Sequence, residues 1–192
     1  MNALTKTLAA LAAGLALGLW SAGASLTDGG IFAVKKIGAW SVAPQVGTPE
    51  ADPYARASLE RSGEIPLALG EGLQFIARAD DSGAALDSTC LYQVGSRTPP
   101  ARYWTLSVTD GEGFPLDNPA QRYGFRSSEI LWAANGDFHI AVAASAQPGN
   151  WLPSGGARNF ALVLRLYDSP VSATAGGIES SALPTIVRTA CP

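Results

Sequence analysis

Histidine, methionine, lysine and cysteine are scarce in this sequence of 192 residues: one His, one Met, three Lys (Lys6, Lys35 and Lys36, against ten Arg) and two Cys. A single imidazole, His139, excludes metal sites and proton relays that need two, and with them zincin-like and facial-triad chemistry. No metal site is expected. Charge is thin as well. Only 15% of residues carry it, and 13 basic against 16 acidic residues leave a net charge of -3, which argues against a nucleic-acid partner. The sequence has no G-x-S-x-G elbow, no S-x-x-K motif and no Cys-His pair, so nucleophilic hydrolysis has no visible apparatus. Ser154-Gly155-Gly156 lacks the strand and following helix of a phosphate loop, and nothing points to a cofactor. With 47% hydrophobic residues the chain is not a disordered one, and its length fits one domain of ordinary size behind a separate leading segment.

That leading segment runs from Thr7 to Thr27, 21 residues without a charge, behind Lys6 and the amino terminus. It is an export segment with two readings. Ala22-Gly23-Ala24 supplies the small-x-small pattern of a signal-peptidase site behind an apolar core, as in a cleaved signal. The same run, at about 1.5 Å per residue, reaches roughly 30 Å, the thickness of a bilayer core. Trp20 would then sit at the outer interface, and residues 7–27 would be a membrane anchor. Ala10, Gly14, Gly18 and Ala22 recur every four residues, a small-residue stripe able to pack on a partner helix, although signal segments are Ala- and Gly-rich in any case. Either way the charge asymmetry keeps the amino terminus inside and delivers residues 28–192 to the cell envelope. The expected product is a periplasmic domain on a single-pass inner-membrane anchor, or a cleaved periplasmic one.

Thiols in an oxidising compartment tend to pair, so Cys90 and Cys191 are expected to form a disulfide that tethers the tail Ile186 to Pro192. The plainer reading is two buried thiols. A reactive or metal-bound thiol has little support, since neither cysteine has a neighbouring His or a second Cys at CxxC spacing.

Past the leading segment, Ile31 to Val42 reads as a first extended strand. Asp52 is then a plausible N-cap with Pro53 at the first helical position, opening one short helix that Gly63 ends. Tyr54, Ala57 and Leu59 are expected to face the domain, with Arg56, Glu60 and Arg61 in water. Beyond Gly72 short apolar runs alternate with turn chemistry: Leu73 to Ala79, the turn Asp80-Asp81-Ser82-Gly83, Cys90 to Val94, and Tyr103 to Val108. A long polar connection, Asp110 to Ser128, precedes Ile130 to Ala133, which Asn135-Gly136 joins as a hairpin to Phe138 to Ala143. Phe160 to Tyr167 and Thr185 to Thr189 complete the set. Short strands at this spacing, almost all antiparallel by turn length, predict a mainly β, jelly-roll-like β-sandwich with one short helix.

The stretch from Arg102 to Asp168 carries Tyr103-Trp104-Thr105-Leu106-Ser107-Val108-Thr109-Asp110, then Asp117-Asn118-Pro119, Arg122-Tyr123, Asn150-Trp151-Leu152-Pro153 and Leu162-Val163-Leu164-Arg165-Leu166-Tyr167. In this order the motifs resemble the domain-of-unknown-function family 1214 of bacterial proteins, with a weaker extension back to Asp52-Pro53-Tyr54-Ala55-Arg56. The resemblance implies an antiparallel β-sandwich and an envelope location, and no activity. Longer members of that family carry a partner domain, of the family numbered 1254, ahead of this one, and the present chain is expected to lack it.

The densest polar stretch is Asp110 to Pro119, with Arg122, Tyr123 and Arg126 close behind. Its carboxylates, Asp110, Glu112 and Asp117, suit acid-base work on a glycosidic bond or oxygen ligation of Ca²⁺, and suit turn geometry equally well. In a second loop Trp151 offers a stacking platform, with Asn118, Arg122, Asn150 and Arg158 as hydrogen-bonding groups, or else it plugs an open end of the sandwich. His139 shares a strand with Phe138 and Ile140 and points away from both, as a surface residue. The expected function is a non-catalytic module binding a small molecule or an envelope protein through Asp117, Asn118, Arg122, Tyr123, Asn150, Trp151 and Arg158. The alternatives are a carbohydrate-active or other hydrolase using the loop carboxylates, and a purely structural subunit paired through the small-residue stripe.

Overall fold

A computed structural model of the protein describes residues 2–27, 34–62, 65–68, 70–156, 158–170 and 178–191. Its elements in chain order are α1 (Ala3–Thr27), β1 (Lys35–Ile37), β2 (Trp40–Val42), α2 (Pro53–Ser62), β3 (Gly72–Ala77), β4 (Leu91–Ser96), β5 (Tyr103–Thr109), β6 (Gly124–Arg126), β7 (Phe138–Ala143), β8 (Asn150–Pro153), β9 (Ala161–Tyr167) and β10 (Thr185–Ala190). The strands form a six-stranded sheet, β1-β2-β3-β9-β5-β6, and a four-stranded sheet, β10-β4-β7-β8. Period-two patterning sets which face turns inward. In β5, Trp104, Leu106 and Val108 are buried while Tyr103, Thr105 and Ser107 are half-exposed. At the sheet centre, β9 is apolar on both faces and buried from Ala161 to Leu164.

The two sheets share one core, in a sandwich-like arrangement. Phe75, Leu106 and Leu164 from the larger sheet and Tyr92, Phe138 and Ile140 from the smaller are all at most 1% exposed. Burying side chains of this size contributes about 1.5–3 kcal/mol each. The Trp104 and Phe138 rings, one from each sheet, lie 4.8 Å apart at their centroids. Two polar groups that enter the core are matched: the Trp40 indole N–H donates to the Pro184 carbonyl at 2.7 Å, and the Tyr92 hydroxyl accepts from the Asp87 backbone N–H at 2.8 Å.

Several expectations need correction. The first strand is a hairpin, because Gly38, at φ +61°, turns the chain between Ile37 and Trp40; Ile31 to Ala33 lie outside the described residues. The Asp52 cap holds, its Oδ1 accepting the N–H groups of Tyr54 and Ala55 at 2.9 and 3.0 Å. The packed face of α2 is carried by Ala55, however, with Tyr54 and Ala57 exposed. Gly63, the expected helix stop, is outside the described residues. Ile130 to Ala133 makes only a single bridge, Trp132 to Phe138. The polar connection contains β6, and Asn150–Pro153 is a strand and not a loop. It lies parallel to β7, Ile140 opposite Asn150, because residues 144–149 carry the chain back about 10 Å, three residue lengths.

The expected disulfide is present. Cys90 and Cys191 are bonded across a sequence separation of 101. The strand before Cys191 is also clamped by the turn at Asp80, whose Oδ1 accepts the Ser82 and Ala84 N–H groups at 3.0 and 3.1 Å and also the Ser82 hydroxyl. Its other oxygen lies 3.0 Å from Arg188 Nε, and the Arg188 guanidinium covers the Tyr92 ring at 5.5 Å. Ile186 exchanges two hydrogen bonds with Asp81. Burial opposes ionisation of Asp80, but the Ser82 and Ala84 hydrogen bonds and Arg188 outweigh it and hold its pKa below the ordinary 3.8. A depressed folded pKa contributes stability above the unfolded value that is lost as pH falls through the folded one. Urea midpoints should therefore hold from neutral pH to about 4 and fall below it. Asp80→Asn should lower the neutral-pH midpoint and shrink that acid fall; an identical acid fall in the variant contradicts the assignment.

Residues Ala3–Ala24 of α1 are long and apolar enough to cross a membrane, and none of that stretch is buried.

Candidate functional site

The loop carboxylates are placed first by turn geometry. Asp110 Oδ1 accepts the N–H groups of Glu112 and Phe114, both at 2.9 Å, and Gly113 at φ +96° completes the turn. Glu112 and Asp117 stand exposed. Among the described residues no group of three His, Cys, Asp or Glu side chains is placed to hold a metal ion.

Asn118 closes the next turn. Its amide N–H donates to the carbonyls of Leu116 and Arg122, both at 3.1 Å, and its oxygen accepts the Arg122 N–H at 3.1 Å, with Gln121 held at φ +48°. The turn sends the Arg122 side chain across to the second segment, where Nη1 donates to the Trp151 carbonyl at 2.9 Å. The Arg122 guanidinium also covers the Phe125 ring at 5.1 Å. A second joint lies nearby: a Cβ on Gly155 would approach Leu116 Cβ to 2.7 Å, so only glycine allows this packing, and its φ of +68° suits glycine too. The two segments singled out in the sequence thus meet, at Arg122 and at Gly155.

Beside the joint, an open groove of about 640 Å³ follows the edge strand β6, lined by Thr105, Ser107, Arg122, Tyr123, Arg126 and Glu129 among others. Gly124 lets β6 approach β5 closely, since a Cβ there would lie 2.7 Å from the Leu106 carbonyl oxygen. Arg126 and Glu129 pair at 3.8 Å. Thr105 and Ser107 were not singled out in the sequence, although the alternation of β5 already puts them on the outward face.

The remaining candidates lie elsewhere. Asp117 and Asn118 are outside the groove lining. Trp151 is half-buried with its indole N–H spent on the Ala143 carbonyl at 3.0 Å. Asn150, 7% exposed, is a structural tie: its oxygen accepts the Leu131 N–H at 2.8 Å and its N–H donates to the Leu131 and His139 carbonyls, each at 3.0 Å. Arg158 is exposed, with its charge acting on Asp87. Hydrogen bonds from the Thr89 backbone and hydroxyl are the larger cause of the lowered Asp87 pKa. A second hollow, of about 400 Å³, opens on the outer face of the smaller sheet around Gln93, His139 and Gln147, with the segment 131–133 at its rim. Those residues come from separate segments, and no sequence motif unites them.

Comparison with known proteins adds kinship without an activity. No curated protein matches the chain. The crystal structure of the VPA0106 protein from Vibrio parahaemolyticus superposes with a TM-score of 0.60 at 18% identity, covering 73% of this chain and 36% of that one. An uncharacterized protein from Burkholderia cenocepacia matches at a TM-score of 0.43 and 20% identity, covering 76% of this chain and 46% of that one. The chain therefore spans well under two thirds of either protein, and the Vibrio likeness speaks for the fold alone. The model of the family described as protein of unknown function (DUF1214) matches residues 71–171, more than half of the sequence. The chain belongs to the DUF1214 family.

Proposed function

We propose that the protein is an exported envelope component whose β-domain binds a ligand or partner at the Arg122 groove without transforming it. The carrying observation is the joint itself: one arginine, bonded to the Trp151 carbonyl and stacked on Phe125, lines an open groove at a sheet edge. Two guanidinium groups, Arg122 and Arg126, against the single carboxylate Glu129 favour a carboxylate or phosphate on the bound molecule. The apolar stretch of α1 supports delivery across the inner membrane, as a retained single-pass anchor or as a cleaved signal.

Native mass spectrometry of the full-length protein, extracted from the membranes of the cells that make it, tests this reading. A bound small molecule or protein chain should survive on the wild type and be lost from Arg122→Ala, with the variant still folded by circular dichroism. A bare chain in both preparations contradicts it.

A further inference from the structure

The central strand of the larger sheet carries a single charge, Arg165. Leu162, Leu164 and Leu166 of β9 are fully buried between the sheets, so Ala161, Val163, Arg165 and Tyr167 lie on the outer face. Register sets Gln74 of β3 and Thr105 of β5 on either side of Arg165, and Arg126 of β6 beyond Thr105. Phe75, Leu106 and Phe125 are buried on the inner faces of those three strands, which leaves Gln74, Thr105 and Arg126 on the outer face with Arg165. The four residues form one row across four neighbouring strands. Arg165 and Arg126 stand two strand spacings apart in it, about 9.6 Å at their Cα atoms.

Arg165 is held in place without being neutralised. The Gln74 side-chain oxygen accepts from its Nε at 2.8 Å, which fixes the guanidinium and leaves both Nη groups without a hydrogen bond among the described residues. No carboxylate pairs with this half-buried arginine among the described residues. A cation drawn this far out of water ordinarily has a counter-ion. The Thr105 hydroxyl, between the two arginines, also makes no hydrogen bond among the described residues. Arg126 meets Glu129 at 3.8 Å, longer than a hydrogen bond. The row and the groove lining together hold three guanidinium groups, Arg122, Arg126 and Arg165, and one carboxylate, Glu129, a surplus of two positive charges.

That surplus selects the ligand. A carboxylate brings one negative charge and two oxygens, which a single bidentate arginine satisfies. A phosphate monoester brings about two charges and three acceptor oxygens. Seated over Thr105, it accepts from Arg165 on one side, from Arg126 on the other and from the threonine hydroxyl beneath. The rest of such a ligand has an adjoining surface. Tyr103 and Tyr167 pair in the register next to the row, on the same outer face. Both are half-exposed, and their rings lie 5.9 Å apart at an inclination of 49°.

We propose that the row of Arg165, Thr105 and Arg126 is the anion seat of the Arg122 groove and takes a phosphate monoester. The inference rests on the reading of that groove as a binding site, and names the group it recognises. The test is isothermal titration calorimetry on the full-length chain in a non-ionic detergent, at low ionic strength and about pH 8, where the ester is a dianion. The probes are phenyl phosphate, dioctanoyl phosphatidic acid and benzoate. At least one phosphate ester should bind saturably, about tenfold or more tighter than benzoate. Phenyl phosphate leads if the natural ligand is a soluble ester, phosphatidic acid if it is a lipid headgroup. The better ester should bind about tenfold more weakly to Arg165→Gln and several-fold more weakly to Thr105→Val. It should bind unchanged to Arg97→Gln, which removes the same charge next to β4 of the smaller sheet. Thr105→Val keeps the side-chain shape at a half-exposed site, so it decides the matter even if Arg165→Gln fails to fold. Ester binding that is lost from Arg122→Ala yet undiminished by Arg165→Gln and Thr105→Val overturns this inference and leaves the groove reading standing. No saturable heat with either ester, or benzoate bound as tightly, also overturns it, and the native mass spectrum then judges the groove on its own.

Discussion

Replacing Cys90 and Cys191 together by serine is expected to lower the free energy of unfolding by about 3–5 kcal/mol. The bond spans a sequence separation of 101, and on chain-entropy grounds closing a loop of about 100 residues restricts the unfolded chain by nearly the upper end of that range. The effect should fall on the tail first. β10 is an edge strand paired only with β4, and the Asp80–Arg188 pair and the Asp81 to Ile186 bonds hold its middle but not its end. Hydrogen exchange of the double variant should then be fastest over residues 189–191 while β4 and β7 stay protected. Equilibrium urea unfolding measures the size of the effect. A loss below about 1 kcal/mol, less than a typical disulfide contributes, contradicts this view of the tail.

Phe138→Ala is expected to cost about 3–5 kcal/mol, the range for removing a fully buried aromatic ring. Phe138 is 1% exposed and touches both Trp104, across the sandwich, and Trp132, at its rim. The substitution therefore opens a cavity between the sheets and removes one of the two rings that set the Trp132 plane. Near-ultraviolet circular dichroism should lose tryptophan intensity along with the stability. Leu131→Ala, at a side chain 68% exposed, should stay within about 0.5 kcal/mol of the wild type. Equal costs for the two variants would mean that the ring cluster does not join the sheets.

Much of this fold was legible because its long strands carry strong patterns. Tyr103–Thr109 alternates cleanly, Ala161–Tyr167 is apolar apart from Arg165 as suits a central strand, and Asn135-Gly136 marks its turn. What was missed is short. β6 has three residues and β8 four, too few for a period to emerge, and β8 also contains Asn and Pro, which read as loop chemistry. The helix cap was readable from Asp52-Pro53, but the packed face of α2 was not, since a helix of 10 residues that buries chiefly Ala55 leaves little amphipathic signal. The candidate site was half legible. Arg122 and the backbone of Trp151 do meet, whereas Asn150, read as a ligand-binding side chain, spends its amide on Leu131 and His139. The hollow over Gln93 and His139 could not be read at all, because strand register alone brings these two residues to one face.

The central claim is that the Arg122 groove is where this domain binds. It is tested most directly by hydrogen-deuterium exchange on the full-length protein, with and without the small-molecule and protein extract of its own envelope. The account predicts slowed exchange over residues 120–129 and 150–153 in the wild type, and no slowing in Arg122→Ala. Exchange in those segments that the extract leaves untouched would contradict it.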